Sequence, residues 1–513
     1  MRKTYYKAKI QGNVLIIQEN GKNEKHYVLN ETFSGIQEVH EKKIVLKSTQ
    51  TDDLRLSFSS NGEKEEWTQR LRKAMSTNSH EKGAINIRDV AVDHPSLNSQ
   101  KGTKKIEISI WDFSGNPKYY SIQSLFISIR SVFLVTWRMD KGDKGLKSLN
   151  FWFNSLSAHL PPHPDDEQGK PFYSIIVVGA FEDLDGEGIQ EKTQLREKIQ
   201  QIAKENRINF PIQFFQVSSK TLSNIEELRE SILLTSLYHS YMGERIPTSF
   251  TSIEKEIIRL RKIHKEFPVI EINQLIEGCL FSPNINDLTP DLIRSSLSTF
   301  HGSGECIYFS TPEALNNIII LSPEFLIQDI LSPLVSYQGV SETGIVQHCD
   351  LIDIWPNHRD FVPTIISLLK KYQFLFWVQQ VDDFYNQYSI IPYFLPKTEL
   401  HNFVRYWPLQ LPENQIEHEF IIKFNVLIPD LISRLFVQLG TYLYEEMIWG
   451  TGGLFKIENV LVYLVVEYSE NQIKFIIRGD DHVQQDNTSL QKLFEENIQI
   501  VSTSFQGVVW FQK

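Results

Sequence analysis

The 513-residue sequence predicts a multidomain protein of mixed α/β and α+β class. Its expected parts are a strand-built N-terminal barrel closed by one helix, a doubly wound sheet, and an α+β C-terminal half that begins with a winged-helix-like unit. Three observations predict this. The chain is too long for one hydrophobic core, which implies about three or four domains. Short alternating apolar runs fill the first sixty residues, and strand and helix signals then alternate from Gly83 to about Leu237. Further on, two helices lead into short strands, and a string of strands closes the chain.

Hydrophobic residues make up 41% and charged residues 22%, which places the chain among globular proteins rather than disordered ones. The strongest apolar runs, SVFLVTW and NNIIIL, have strand length, and the opening MRKTYYKAKIQGN holds no signal-peptide core. The expectation is therefore a cytoplasmic protein. Cys279, Cys306 and Cys349 stand apart in no C-x-x-C pair, so they read as buried thiols, and the 14 histidines form no metal spacing. Net charge is −11, but residues 1–75 alone carry +4 and the remainder −15. An acidic body disfavours nucleic acid, whose phosphates need clustered Lys and Arg.

The N-terminal elements come first. KAKIQGNVLIIQE, HYVLNE, KKIVLKS and LRLSFS alternate apolar and polar residues, with turn-rich spacers such as NGKNEK between them. Ser60-Asn61-Gly62-Glu63 offers a capping box, and Trp67, Leu71 and Ala74 share one face of the helix that follows. This pattern resembles a pleckstrin homology (PH) domain over residues 1–77, with the first strand of that fold missing. Arg2, Lys3, Lys7 and Lys9 would then meet an anionic phosphoinositide surface, against the plainer reading of a solvated strand face.

In the next region AINIRDVAV, KKIEISIWDF, SVFLVTWRMD, YSIIVVGAFED and PIQFFQVSSK read as strands, with amphipathic helices around Phe153, Ile199 and Leu228. Continuous apolar strands alternating with helices predict a mostly parallel sheet, whose ligands sit at the carboxyl ends of the strands. Three such ends are polar: Asp112-Phe-Ser-Gly115, Asp183, and Ser218-Ser219-Lys220.

Their order resembles the Roc domain of the Roco family, Ras-like GTPases followed by a COR domain. WDFSGNPKYY is similar to switch II, VVGAFED to the guanine-recognition strand, and VSSK to the S-A-K loop. The resemblance implies that Asp183 receives hydrogen bonds from guanine and that a backbone N–H near Ser219 or Lys220 meets its O6; Phe181, itself a departure from the family pattern, has a ring that could stack on the base. Asp112 and Gly115 would face magnesium and the terminal phosphate. The departures are equally specific. Ala180 and Phe181 replace the usual polar pair, Asn116 stands where many relatives have a water-positioning Gln, and Glu81 stands where switch I carries its Thr. No G-x-x-x-x-G-K-[ST] occurs in the sequence, so no lysine or backbone nest neutralises a triphosphate. Asp112 and Asp183 as loop-capping carboxylates therefore rank above a working GTPase, and no catalytic or metal-binding residue is assigned. A PH module inserted between a phosphate loop and switch I would explain both missing pieces; in that case GTP or GDP with Mg would bind once the upstream loop is supplied.

The C-terminal half resembles COR through QLIEGCL, IYF and Ile320-Leu321-Ser322-Pro323-Glu324-Phe325-Leu326-Ile327. Its helix DLIRSSLSTF carries Arg294 as its one cation, which favours packing over DNA reading. The expected division is 1–77 PH-like, 78–240 Roc-like, 248–395 first COR half and 396–513 second COR half. No kinase signature appears. The resemblance implies a signalling scaffold that homodimerises through COR; Phe424, Ile428, Leu435, Phe436 and Trp449 are candidates for the interface, although most of them could equally be core. A GTPase completed by an upstream loop and a membrane-recruited PH adaptor are the alternatives.

Overall fold

The computed structural model describes the strand backbones at 6–11, 14–19, 25–28, 33–40, 43–48 and 54–57, residues 64 and 67, and 84–93. It then describes 105–512 apart from 163–164, 168, 185–191, 245–246, 281–288, 311–314, 379–382, 413–414 and 480–486. Arg2, Lys3, Glu81 and the side chains of Lys7 and Lys9 lie outside the described residues, as does most of the expected closing helix. The chain divides into two compact units, Met1–Asn86 and Ile87–Lys513.

Among the described residues the first unit contains six strands paired in two antiparallel sheets. One is β1 (Tyr6–Gln11), β2 (Val14–Glu19) and β3 (Lys25–Val28), and the other is β4 (Phe33–His40), β5 (Lys43–Ser48) and β6 (Leu54–Ser57). β1 and β2 pair antiparallel, with Tyr6 opposite Glu19 and Gln11 opposite Val14.

β7 (Ile85–Asp93), all but its first two residues in the second unit, and β8 (Lys105–Phe113) form a two-stranded sheet. A separate sheet is built from β9 (Val132–Arg138), β10 (Ser174–Ala180) and β11 (Gln213–Val217), all parallel with β10 in the middle. Parallel neighbours need crossovers. Helix α1 (Gly142–His159) joins β9 to β10, and α2 (Lys192–Glu205) joins β10 to β11. Alternation along the strands sends Val135, Trp137, Ile175 and Val177 to one face, against Leu149 and Phe153 of α1 and Leu195 and Ile199 of α2. Ile176, Val178 and Val217 point the other way, toward Ile225, Leu228 and Ile232 of α3 (Ile225–Tyr238). Among the described residues no strand pairs with the outer edge of β9, where Leu134 is 42% exposed.

The next layer contains α4 (Thr248–Ile263), β12 (Val269–Glu271), α5 (Ile272–Leu280), α6 (Pro290–Ser303), β13 (Ile307–Tyr308) and β14 (Ile318–Ile320). Their sheet has the order β12-β14-β13. Helix α6 shows why sequence fixes its limits: Thr289 accepts the Leu292 N–H at 3.2 Å, Pro290 opens the first turn, and Gly304 closes the helix at φ +81°. It buries Ile293, Leu297 and Phe300, and its Arg294 donates to the Asn316 carbonyl at 3.0 Å, so this helix is a packing element as expected. A π-helical stretch, Phe325–Leu331, runs into α7 (Ser332–Ser336). Three short strands, β15 (Ile345–Gln347), β16 (Phe376–Val378) and β17 (Tyr388–Ile390), pair in the order β15-β17-β16, with α8 (Val362–Lys371) between the first two in sequence.

The C-terminal sheet is antiparallel, with the order β19-β20-β21-β22-β18-β23. Its strands are β18 (Ile416–Phe424), β19 (Leu443–Trp449), β20 (Gly452–Ile457), β21 (Val460–Glu467), β22 (Gln472–Gly479) and β23 (Trp510–Gln512). Helices α9 (Pro429–Leu439) and α10 (Asn487–Ser502) cover one face through Leu435, Phe436, Phe494 and Ile498. Phe403, Trp407 and Trp449 cover part of the other.

Two expectations are corrected. Phe424, Ile428, Leu435, Phe436 and Trp449 are at most 5% exposed and belong to the core, so they present no surface to a second copy. Their apolarity reflects a sheet covered on both faces. Cys279 and Cys306 are buried thiols, but Cys349 is exposed.

Candidate functional site

The residues that the sequence matched to guanine recognition lie at the carboxyl ends of β10 and β11, beside the end of β9. Asp183 follows β10, and its Oδ1 accepts the Ser218 hydroxyl at 2.6 Å, while Oδ2 lies 3.9 Å from Lys220 Nζ. Ser218 is 1% exposed, and its Oγ also accepts the Thr221 N–H at 3.2 Å. The loop after β11 is thus braced through the carboxylate of the loop after β10. Ser219 and Lys220 are exposed beside it.

Phe181 takes φ +66°, a left-handed conformation uncommon for an aromatic residue, and is 39% exposed. The Arg138 guanidinium, at the end of β9, lies 4.3 Å from its ring centroid. Two hydrogen bonds to Asp140, at 2.9 and 2.7 Å, hold that guanidinium in place. The same contact pushes the Asp140 carboxyl below its ordinary value and the Arg138 guanidinium above its own. Arg138 and Asp140 were missed in the sequence, although VTWRMD places them at a strand end of the kind that carries the other site residues.

The switch-like residues sit on the other sheet. Asp112 is the penultimate residue of β8 and Gly115 stands just beyond its end, where Ser114 Oγ accepts the Asn116 N–H at 3.3 Å and Asn116 Oδ1 accepts the Lys118 N–H at 3.2 Å. Gln123 Nε2 donates to the Ser114 carbonyl at 2.5 Å, and the Tyr120 hydroxyl donates to the Gly115 carbonyl at 3.3 Å. A Cβ on Gly115 would meet nothing within 4 Å, so packing within the chain does not demand glycine there.

This loop is tied to distant parts of the unit. Tyr119 Oη and Ser336 Oγ are 3.2 Å apart, Ser128 Oγ donates to the Gly302 carbonyl at 3.4 Å, and Arg130 reaches Glu244 at 3.2 Å. Trp111 lies against Gly304, where a Cβ would come within 2.9 Å of its indole ring. No sequence signal marks these contacts, since they join residues more than a hundred positions apart.

A parallel α/β core with polar strand ends, its switch-like loop seated on a helical module, defines the class of a Ras-like domain joined to a COR module. Two family models agree. "Ras of Complex, Roc, domain of DAPkinase" matches residues 63–164, and "C-terminal of Roc, COR-A domain" matches residues 247–395. Both matches support a Roc-COR protein of the Roco type. The chain is 25% identical over 431 residues to "Probable serine/threonine-protein kinase pats1" of Dictyostelium discoideum, which covers 81% of this chain and 13% of that protein. It is 23% identical to a "Roc-COR-CHAT protease" from an unknown prokaryotic organism, over 82% of this chain and 38% of the relative. The chain thus spans a minor part of these relatives. A solved structure of Methanosarcina barkeri Roco2 RocCORdC bound to GDP aligns over 62% of this chain and 87% of that one, at 17% identity and a TM-score of 0.43. Among the described residues no helix is long and apolar enough to cross a membrane.

Proposed function

We propose that this chain acts as a signalling scaffold of Roc-COR type whose nucleotide core is formed on the guanine side and lacks the phosphate side. The observation that carries this reading is the state of Asp183. Its carboxylate already accepts the Ser218 hydroxyl and faces Lys220, so it braces the loops that a base would otherwise order. Arg138 lies over the ring of Phe181, the face on which a base would stack. Nothing in the sequence supplies the lysine and backbone nest that a triphosphate requires. On this reading 1–77 is a PH-like module, 78–240 the Roc-like core, 248–395 and 396–513 the two halves of COR, and the working unit is a COR homodimer.

One observation favours a second reading, in which GTP or GDP with Mg binds once a phosphate loop is supplied. Gly115 stands where a Cβ would touch nothing, which suits a backbone N–H that a phosphate approaches. Lipid recruitment through Arg2, Lys3, Lys7 and Lys9 rests on sequence alone.

Calorimetric titration of the purified chain with GDP and GTP in the presence of Mg tests the first reading. A dissociation constant far weaker than micromolar, which corresponds to about 8 kcal/mol, is expected. Submicromolar GTP binding overturns it.

A further inference from the structure

We propose that a cleft in the COR-A region binds a free α-amino acid, with the carboxylate at Arg261 and Lys265 and the ammonium group at Glu324 and Asp329. The cleft measures about 270 Å³, room for one residue-sized ligand, and Phe325 and His358 also line it.

Its two rims carry opposite charge, and parts of both are fixed in advance. Arg261 donates through Nε to the Leu321 carbonyl at 2.7 Å and through Nη2 to the Glu305 carbonyl at 2.5 Å. Those bonds pin the guanidinium plane, and Nη2 also lies 3.7 Å from Glu305 Oε2, while the Nη1 hydrogens have no described acceptor and form a fixed donor pair suited to a carboxylate. Lys265 stands just beyond the end of α4 on the same rim, exposed and without a described ion pair. On the opposite rim the Ser322 hydroxyl donates to Glu324 Oε2 at 3.0 Å and accepts the Phe325 N–H at 3.3 Å, which orients the Glu324 carboxylate at the helix start. Asp329 lies one turn further along, within the π-helical stretch Phe325–Leu331. Segments of this kind are uncommon and often accompany functional sites, because the extra residue shifts side chains out of α-helical register. Beneath the cleft the Phe325 ring is buried, packed edge-on against Phe267 at 5.5 Å and His358 at 5.2 Å, which gives the lining a fixed floor.

Two cations and two carboxylates lining one small cleft fit a zwitterion better than a simple anion or cation, because either alone would meet like charge among the lining residues. A phosphate would meet Glu324 and Asp329, and a polyamine would meet Arg261 and Lys265. The cleft belongs to a different part of the chain from the Asp183 loop, so this proposal does not depend on the nucleotide reading.

The test is a thermal-shift screen of the full chain with the twenty L-amino acids at millimolar concentration, followed by calorimetry with any that act. At least one amino acid is expected to raise the unfolding temperature. Its N-acetyl and carboxamide derivatives, each missing one charge, are expected to bind at least tenfold more weakly. Lys265→Ala, a change at an exposed position, and Asp329→Asn are expected to weaken binding at least tenfold, with circular dichroism checking that each variant is folded. No shift with any amino acid overturns the proposal. So does a blocked derivative that binds as well as its parent, or equal binding by the Lys265→Ala variant.

Discussion

Ser218 donates its hydroxyl to Asp183 at 2.6 Å, joining the loops after β10 and β11 across 35 residues of sequence. The serine is buried, and its oxygen also holds the Thr221 N–H, so this bond is part of the folded frame and not a loose surface contact.

Ser218→Ala removes a hydrogen bond to a charged group, which contributes about 1.5–3 kcal/mol. The expected result is a lower urea midpoint with an unchanged denaturant slope. A variant as stable as the parent would mean that Asp183 is not braced this way.

The same pair shows what was legible in advance. VVGAFED and VSSK mark the ends of β10 and β11, because apolar runs that stop at polar residues define a parallel strand and its loop. Likewise TPDLIRSSLSTFHGSG holds its own N-cap, first-turn proline and closing glycine, so the limits of α6 follow from local chemistry. Partners across the chain are another matter. Tyr119 meets Ser336 217 positions away, and nothing near either residue predicts the other. Apolarity also fails to say what covers a side chain: Phe436 reads equally well as interface or core, and the sheet beneath it decides for core.

Phe436→Ala should therefore act on stability. Loss of a fully buried phenylalanine costs about 3–5 kcal/mol. The unfolding midpoint should fall steeply, whereas the mass of the folded protein by light scattering should equal that of the parent. A folded, equally stable variant of half the mass would place Phe436 back in an interface.

Gly304 links the end of α6 to the switch-like loop. At φ +81° an alanine is strained, and its Cβ would also press on the Trp111 ring at 2.9 Å. Gly304→Ala is expected to cost about 1–3 kcal/mol by the sum of backbone strain and displaced packing. Because Trp111 must shift, tryptophan fluorescence should change in the native state. An unchanged spectrum would show that the indole does not rest on this glycine.

Acid should unfold the protein earlier than its carboxylates alone would dictate. Burial pushes His159, His239 and His301 from 6.5 down to about 4. Between those values the unfolded chain binds a proton on each that the folded chain does not. Their contribution to stability is therefore complete above pH 6.5 and is lost as pH falls toward 4, by up to about 1.4 kcal/mol per pH unit for each histidine. Asp430 works in the opposite sense. Burial pushes its carboxyl up to about 7, so between about 3.8 and 7 the folded state holds the extra proton and gains relative stability as pH falls. Three histidines outweigh one carboxyl where the windows overlap, and the net expectation is a decline in urea midpoint from pH 6.5 to 4. His159→Gln, which removes one of the three titrating groups, should flatten that decline. A midpoint that stays level or rises across this range would refute the assignment of neutral, buried imidazoles.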